Sequence, residues 1–286
     1  MNIGIRPHDT EFKNIDELIL NCQTLGVSGL QLVLVKNFPE AFKNDNLDEI
    51  FSKLQANNIN IYLLGSYFNM IHPNDETLNT GIDIFLKNTK IAKKYSLTTI
   101  GSETGSVNGD AWTYNPKNHT DESYLKFEQT LNQIITNDVN VCIEPVYDHT
   151  VYDIDRVQQV LNTYKDLNLI VDLANLLNEL NAQNYQEIFT YILENYKNKI
   201  KVFHFKNLQF INGEKKLVQL DEGIIDYEFI LQKINEHSLQ HIPVIVEEIS
   251  GDMLKNSINY LKKLEEKWKN TIVPIPKISK NTQRKN

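Results

Sequence analysis

Short apolar runs alternate with longer amphipathic stretches along nearly the whole chain. The runs fall at 3–5, 29–35, 59–64, 98–100, 139–143, 169–171, 200–203 and 244–246. Each is followed by a stretch in which apolar residues recur at helical spacing: 15–25, 47–55, 76–94, 122–135, 154–164, 185–196, 227–236 and 253–268. Runs this short and this continuously apolar predict strands buried on both faces, as in a parallel sheet. Eight strand–helix pairs in sequence predict an α/β protein folded as a single (β/α)8 TIM barrel. The rival is an open doubly wound sheet. Its nucleotide-binding form needs Gly-x-Gly-x-x-Gly after the first strand, and here residues 4–9 read Gly-Ile-Arg-Pro-His-Asp. No Gly/Ser/Pro-rich linker interrupts the alternation before residue 271, so 1–270 is expected to be the barrel domain.

Four polar side chains stand directly after apolar runs: Glu144, Asp172, His204 and Glu247. Charged groups are seldom buried unless they are paired or used. The steps between them are 28, 32 and 43 residues, about one strand-plus-helix unit each. They therefore fall at the same, C-terminal end of four consecutive barrel strands, where such barrels carry their chemistry. Period two along a strand puts Cys142 with Glu144 on one face, and Val202 with His204 and Lys206. At the last strand Glu247 and Glu248 must face opposite ways, and Glu247 is assigned to the site because it continues the apolar run. Each residue alone has a plainer reading: Asp172 as a helix cap, His204 as a core histidine, either glutamate as half of an ion pair. Four in succession point instead to a shared divalent ion. Three carboxylates and one imidazole suit Mn²⁺, Mg²⁺ or Co²⁺, with Zn²⁺ also accommodated.

Composition narrows the function. The 286 residues carry a net charge of −8, but Lys277, Lys280, Arg284 and Lys285 sit together in a Pro-containing segment, 271–286, expected to be an extended tail. The rest holds 25 basic and 37 acidic side chains, a net of −12. So acidic a body repels a phosphate backbone, which argues against nucleic acid as partner and against an apurinic endonuclease on the same barrel. No apolar run approaches a membrane span. The N-terminus reads as the first strand rather than a signal peptide. With two cysteines in apolar or helical surroundings, Cys22 and Cys142, a cytoplasmic protein is expected.

The chain resembles the xylose isomerase-like barrels, and within them the sugar phosphate isomerase/epimerase group, from about residue 2 to 268. The likeness is carried in order by Gly-Ile-Arg-Pro-His-Asp (4–9), Leu-Gln-Leu-Val-Leu-Val-Lys (30–36), Gly-Ser-Tyr-Phe-Asn-Met-Ile-His-Pro (65–73) and Gly-Ser-Glu-Thr-Gly-Ser (101–106). It continues through Ile-Glu-Pro-Val (143–146), Val-Asp-Leu-Ala-Asn-Leu-Leu (171–177), Phe-His-Phe-Lys-Asn (203–207), Glu-Gly-Ile-Ile-Asp-Tyr (222–227) and Val-Glu-Glu (246–248). The resemblance implies that Glu144, Asp172, His204 and Glu247 bind one divalent metal, with Glu144 and Glu247 also moving protons. The implied activity is isomerisation or epimerisation of a sugar or sugar phosphate by proton transfer through a metal-stabilised enediolate. A dehydratase acting on a polyol or inosose, and a sugar-binding barrel without turnover, are the alternatives. Two positions depart from the family: Asn175 where a second histidine is common, and Asn207 where Asp is common. Strand-end and loop positions nominate His8, Asn69, His72, Glu103, His149, Asn175 and Lys206 as substrate contacts. A homodimer is compatible with the sequence.

Overall fold

The computed structural model describes residues 1–271. The tail expected at 271–286 lies outside the described residues, apart from Thr271, the last residue of helix Gly251–Thr271. Seven strands follow in order: β1 (Ile3–Ile5), β2 (Gly29–Leu32), β3 (Asn60–Gly65), β4 (Thr99–Glu103), β5 (Asn140–Glu144), β6 (Asn168–Asp172) and β7 (Ile200–Phe205). A hairpin of β8 (Asn207–Ile211) and β9 (Glu214–Val218) precedes the eighth barrel strand, β10 (Val244–Val246). The barrel is closed and parallel, in the order β1-β10-β7-β6-β5-β4-β3-β2. Closure runs through Ile3 opposite Val244 and Ile5 opposite Val246. The predicted (β/α)8 barrel is the fold of this chain.

Period two sorts each strand into two faces. Ile5, Leu30, Ile100, Val141, Ile143, Leu169, Val171, Phe203 and Val246 face outward and join the large core beneath the helices. Leu63, Cys142, Ile170, Val202 and Ile245 face inward and form a separate apolar plug inside the barrel. Both cysteines are buried and unpaired.

Two differences from the sequence expectation are local. The second strand stops at Leu32 rather than running to residue 35. Asn37 Oδ1 accepts a hydrogen bond from the Val33 backbone N–H at 2.8 Å, and the chain turns into the short helix Leu34–Asn37. The β8–β9 hairpin was not expected. Its two turn residues, Asn212 (φ 52°) and Gly213 (φ 84°), are both left-handed, which suits a two-residue turn between twisted strands.

Candidate metal centre

The four strand-end residues owe their meeting to the plug beneath them. Glu144, Asp172, His204 and Glu247 each lie two residues beyond an inward plug residue: Cys142, Ile170, Val202 and Ile245. Two residues along a strand return to the same face, so all four side chains enter the barrel one layer above the plug. One donor atom from each lies within 4.8 Å of the others, and all four residues are buried. Glu248, next in sequence, takes φ 61° and is part-exposed instead.

The two glutamates are held alike. Asn175 Nδ2 donates to Glu144 Oε1 at 2.7 Å, and Lys206 Nζ donates to Glu247 Oε1 at 3.1 Å. In each case the other oxygen, Oε2, stands 3.3 Å from His204 Nδ1. The Tyr67 hydroxyl donates to Glu144 Oε2 at 3.1 Å and accepts from Gln31 Nε2 at 3.0 Å. Asp172 splits its roles. Oδ1 caps the short helix Leu173–Leu176 by accepting from the Asn175 backbone N–H, whereas Oδ2 has no hydrogen-bond partner. Lys206 Nζ lies 3.0 Å from Oδ2, an ionic contact outside hydrogen-bond geometry.

Both ring nitrogens of His204 likewise have no hydrogen-bond partner among the described residues. Buried polar atoms without partners are rare and costly. Two ligands at right angles around one ion, each about 2.1 Å away, stand about 3 Å apart. The 3.3 Å contacts of His204 Nδ1 therefore match the separation of neighbouring ligands. The residues present fit a divalent cation and could hold one.

Charge in the nest tells the same story. Burial pushes both glutamates up, but His204 outweighs it, joined by Lys206 and Arg6 at Glu247, and both carboxyls end below their ordinary range. Burial raises Asp172 to about 7 against the pull of Lys206. Burial draws His204 down, yet Glu247 and Glu144 reverse this and lift it to about 9. The cluster favours positive charge at its centre.

A cavity of about 270 Å³ opens above the cluster. Of the nominated substrate contacts, His8 and Glu103 line it. Asn175 and Lys206 instead touch members of the cluster directly, Asn175 at Glu144 and Lys206 at Glu247 and Asp172. Three nominated residues lie off the cavity lining. Asn69 is saturated by backbone: Nδ2 donates to the Ser106 and Gly109 carbonyls, and Oδ1 accepts from Ile71 and Ser106. His72 is engaged with the Asn74 backbone and Asp110. His149 faces the Trp112 carbonyl at 3.2 Å and Glu103 at 3.5 Å, behind the Trp112 ring. These three tie loops together and do not line the cavity.

Sequence reasoning missed Arg6, Gln31, Lys36, Tyr67 and Trp112, which also line it. Arg6 and Gln31 were within reach of the rule used for His204. Ile5 and Leu30 face outward, so Arg6 and Gln31 face inward. Arg6 is clamped by both oxygens of Asp9 at 2.8 Å and stands 3.6 Å from Glu247.

A family model described as xylose isomerase-like TIM barrel matches residues 19–264. The chain belongs to that family. No curated protein sequence matches the chain. Among solved structures, the chain is similar to an IolI protein with a bound zinc atom, at 18% identity, with a TM-score of 0.69, covering 96% of this chain and 100% of that one. It is similar to a xylose isomerase-like TIM barrel protein from Mycobacterium smegmatis in complex with magnesium, at 12% identity, with a TM-score of 0.62 and coverage of 88% and 89%. It is also similar to 3-keto-D-glucoside 4-epimerase from E. coli, at 12% identity, with a TM-score of 0.65 and coverage of 93% and 99%. At these identities the likeness establishes the fold.

Within this xylose isomerase-like barrel, the two departures have structural reasons. Asn175 donates an amide hydrogen to Glu144 where a histidine would place a ring. Asn207 donates to the Leu220 and Ile225 carbonyls and accepts from the Leu208 and Ile225 N–H groups. An ionised Asp has no donors for those two carbonyls. Asn207 is thus a scaffold residue, and its departure bears on the hairpin rather than on substrate.

Proposed function

We propose that the protein is a divalent-metal-dependent isomerase or epimerase of a sugar or sugar phosphate. The observation that carries this reading is the convergence of three buried carboxylates and one imidazole, with partnerless lone pairs, on the floor of a polar cavity. Glu144, Asp172, His204 and Glu247 would hold the ion, Mn²⁺, Mg²⁺ or Co²⁺ being the best match to that donor set and Zn²⁺ also accommodated. When bound, it supplies the Lewis acidity that makes hydrogen next to a carbonyl acidic.

The chain's own residues do the rest. Glu144 and Glu247 are held ionised, so each enters the reaction as a proton acceptor. Each keeps its Oε1 on a donor, and this fixes the carboxylate plane so that a single oxygen, Oε2, points to the centre. One takes the proton from the substrate carbon and the other serves its second face or neighbouring carbon. Tyr67 stays protonated because burial and Glu144 raise it well above its ordinary value, and so remains a donor to Glu144.

Glu103 favours a second reading. Burial, reinforced by Glu144, raises its carboxyl well above the ordinary range, and it lines the cavity. A carboxyl raised in this way is suited to giving its proton to a departing hydroxyl, which makes a polyol or inosose dehydratase the alternative. The test is a panel of keto- and aldo-sugars, with and without phosphate, incubated in D₂O with metal-loaded protein. Deuterium on a carbon next to the carbonyl with unchanged composition supports isomerase or epimerase, and loss of one water supports the dehydratase. Neither change for any sugar would contradict both readings.

A further inference from the structure

The cavity has a wall that proton transfer at the metal leaves unused. It is built where β1 and β2 end, and in the barrel order β1 stands four strands away from β5, which carries Glu144. His8 and Lys36 stand on this wall, with Gln31 deeper in.

Asn37 ties the two loops together. Its Oδ1 accepts from the Val33 N–H at 2.8 Å, and its Nδ2 meets His8 Nδ1 at 3.4 Å. An amide N–H donating to Nδ1 leaves the imidazole proton on Nε2, so the ring presents an N–H donor on its free edge. Lys36 is exposed, and its ammonium makes no hydrogen bond or ion pair among the described residues, although its backbone N–H donates to the Val33 carbonyl. The other cation at the cavity, Arg6, is already bound to Asp9. Gln31 is 1% exposed, and its Oε1 has no hydrogen-bond partner. An unpaired ammonium, a neutral N–H donor and an orphaned amide oxygen on one wall are an incomplete hydrogen-bonding set.

We propose that His8 and Lys36 form a subsite for an anionic end group, with Gln31 Oε1 accepting from an adjacent hydroxyl, so that the substrate is a hydroxylated acid or phosphate rather than a neutral sugar. This rests on the cavity being the substrate site of the proposed function. The ammonium supplies charge and the imidazole a directional donor, the pairing that oxyanions select. The local field agrees. After burial itself, Arg6 and Lys36 are what press His8 down to about 4, and a field that opposes a proton there favours an anion. A neutral sugar would leave Lys36 without a counter-charge.

The test is titration calorimetry of the full chain loaded with Mn²⁺. The probes are ketopentoses and ketohexoses, each as the neutral sugar, its terminal phosphate and its terminal carboxylate. One acidic series is expected to bind at least about tenfold tighter than its neutral counterpart. Which series does so identifies the oxyanion. In Lys36→Gln the preference is expected to fall within about twofold while neutral sugars bind as before. Equal binding of acidic and neutral probes, a preference that survives Lys36→Gln, or no binding by any acidic probe would overturn the subsite. Deuterium uptake separates the two claims. Acid preference without exchange in D₂O retains the subsite and removes the isomerase reading, whereas exchange on neutral sugars alone does the reverse.

Discussion

Glu144 and Glu247 reach His204 from strands on either side of its own, each keeping Oε1 on a donor and turning Oε2 inward, where Glu144 Oε2 also accepts from Tyr67. A carboxylate fixed in this way offers a single lone-pair direction to a shared ion. Glu247→Gln keeps an oxygen for that purpose but loses the basicity. Turnover is expected to fall by about 10²-fold or more while metal affinity is largely kept, as read by steady-state rates beside metal titration. Retention of near-normal rates would remove Glu247 from proton transfer. Tyr67→Phe deletes one donor to Glu144 without emptying the space of a ring. Loss of such an outer partner is expected to weaken metal binding or rate by about tenfold. Much of this was legible at single residues, because a charged group directly after an apolar run has to be explained. Arg6 and Gln31 were obscured because their strands contribute glycine, not an apolar side chain, one layer below: Gly4 and Gly29. Tyr67 and Trp112 come from loops, whose direction no strand parity fixes.

Among the elements, the hairpin β8–β9 shows how a departure from family pattern can be structural. Asn207 opens it and pins it to the loop that returns toward the barrel, through hydrogen bonds to Leu220 and Ile225. Gly223 passes so close that a Cβ there would stand 2.1 Å from the Asn207 amide. Asn207→Asp strips both donors and places a carboxylate against two carbonyls. It is expected to destabilise the protein by about 3 kcal/mol in denaturant unfolding, a buried unsatisfied group costing about 1–3 kcal/mol. An unchanged midpoint would contradict the scaffold role. The hairpin itself was readable: Asn212-Gly213 between Asn-Leu-Gln-Phe-Ile and Glu-Lys-Lys-Leu-Val is a two-residue turn signal. A β-α count leaves no place for an extra antiparallel pair, and that hides it. The early stop of β2 was less accessible. Val33, Leu34 and Val35 continue the apolar run, while the chain turns on the hydrogen bond from the Val33 N–H to Asn37 Oδ1, with Asn37 Nδ2 against His8.

At the scale of the molecule, the barrel brings together groups spread over a hundred residues and sets them in an acidic nest, so stability and metal binding are linked through protons. His204 is raised to about 9 from an ordinary 6.5, and Asp172 to about 7 from 3.8. A raised group stabilises the fold below its unfolded value and loses that contribution as pH rises through its folded value. The metal-free protein is therefore expected to lose stability between pH 6.5 and 9 from His204, and over the range up to about 7 from Asp172. An ion must displace those protons, so its affinity rises over the same window. The gain in melting temperature on adding Mn²⁺ is expected to grow from pH 6.5 to 9, and a gain independent of pH would contradict His204 as a ligand. Fold class was legible throughout because alternation of short apolar runs with amphipathic stretches has few solutions at this length. The cavity wall was not, because it depends on which loops lie side by side around a closed ring.

The central claim is that one divalent ion is held jointly by Glu144, Asp172, His204 and Glu247. Anomalous diffraction from crystals of the Mn²⁺-loaded protein measures this directly. The account predicts a manganese peak within bonding distance of all four side chains, on the floor of the cavity lined by Arg6 and Glu103. A manganese-saturated crystal with no peak there, or with the ion bound elsewhere while the four side chains stay clustered, would contradict it.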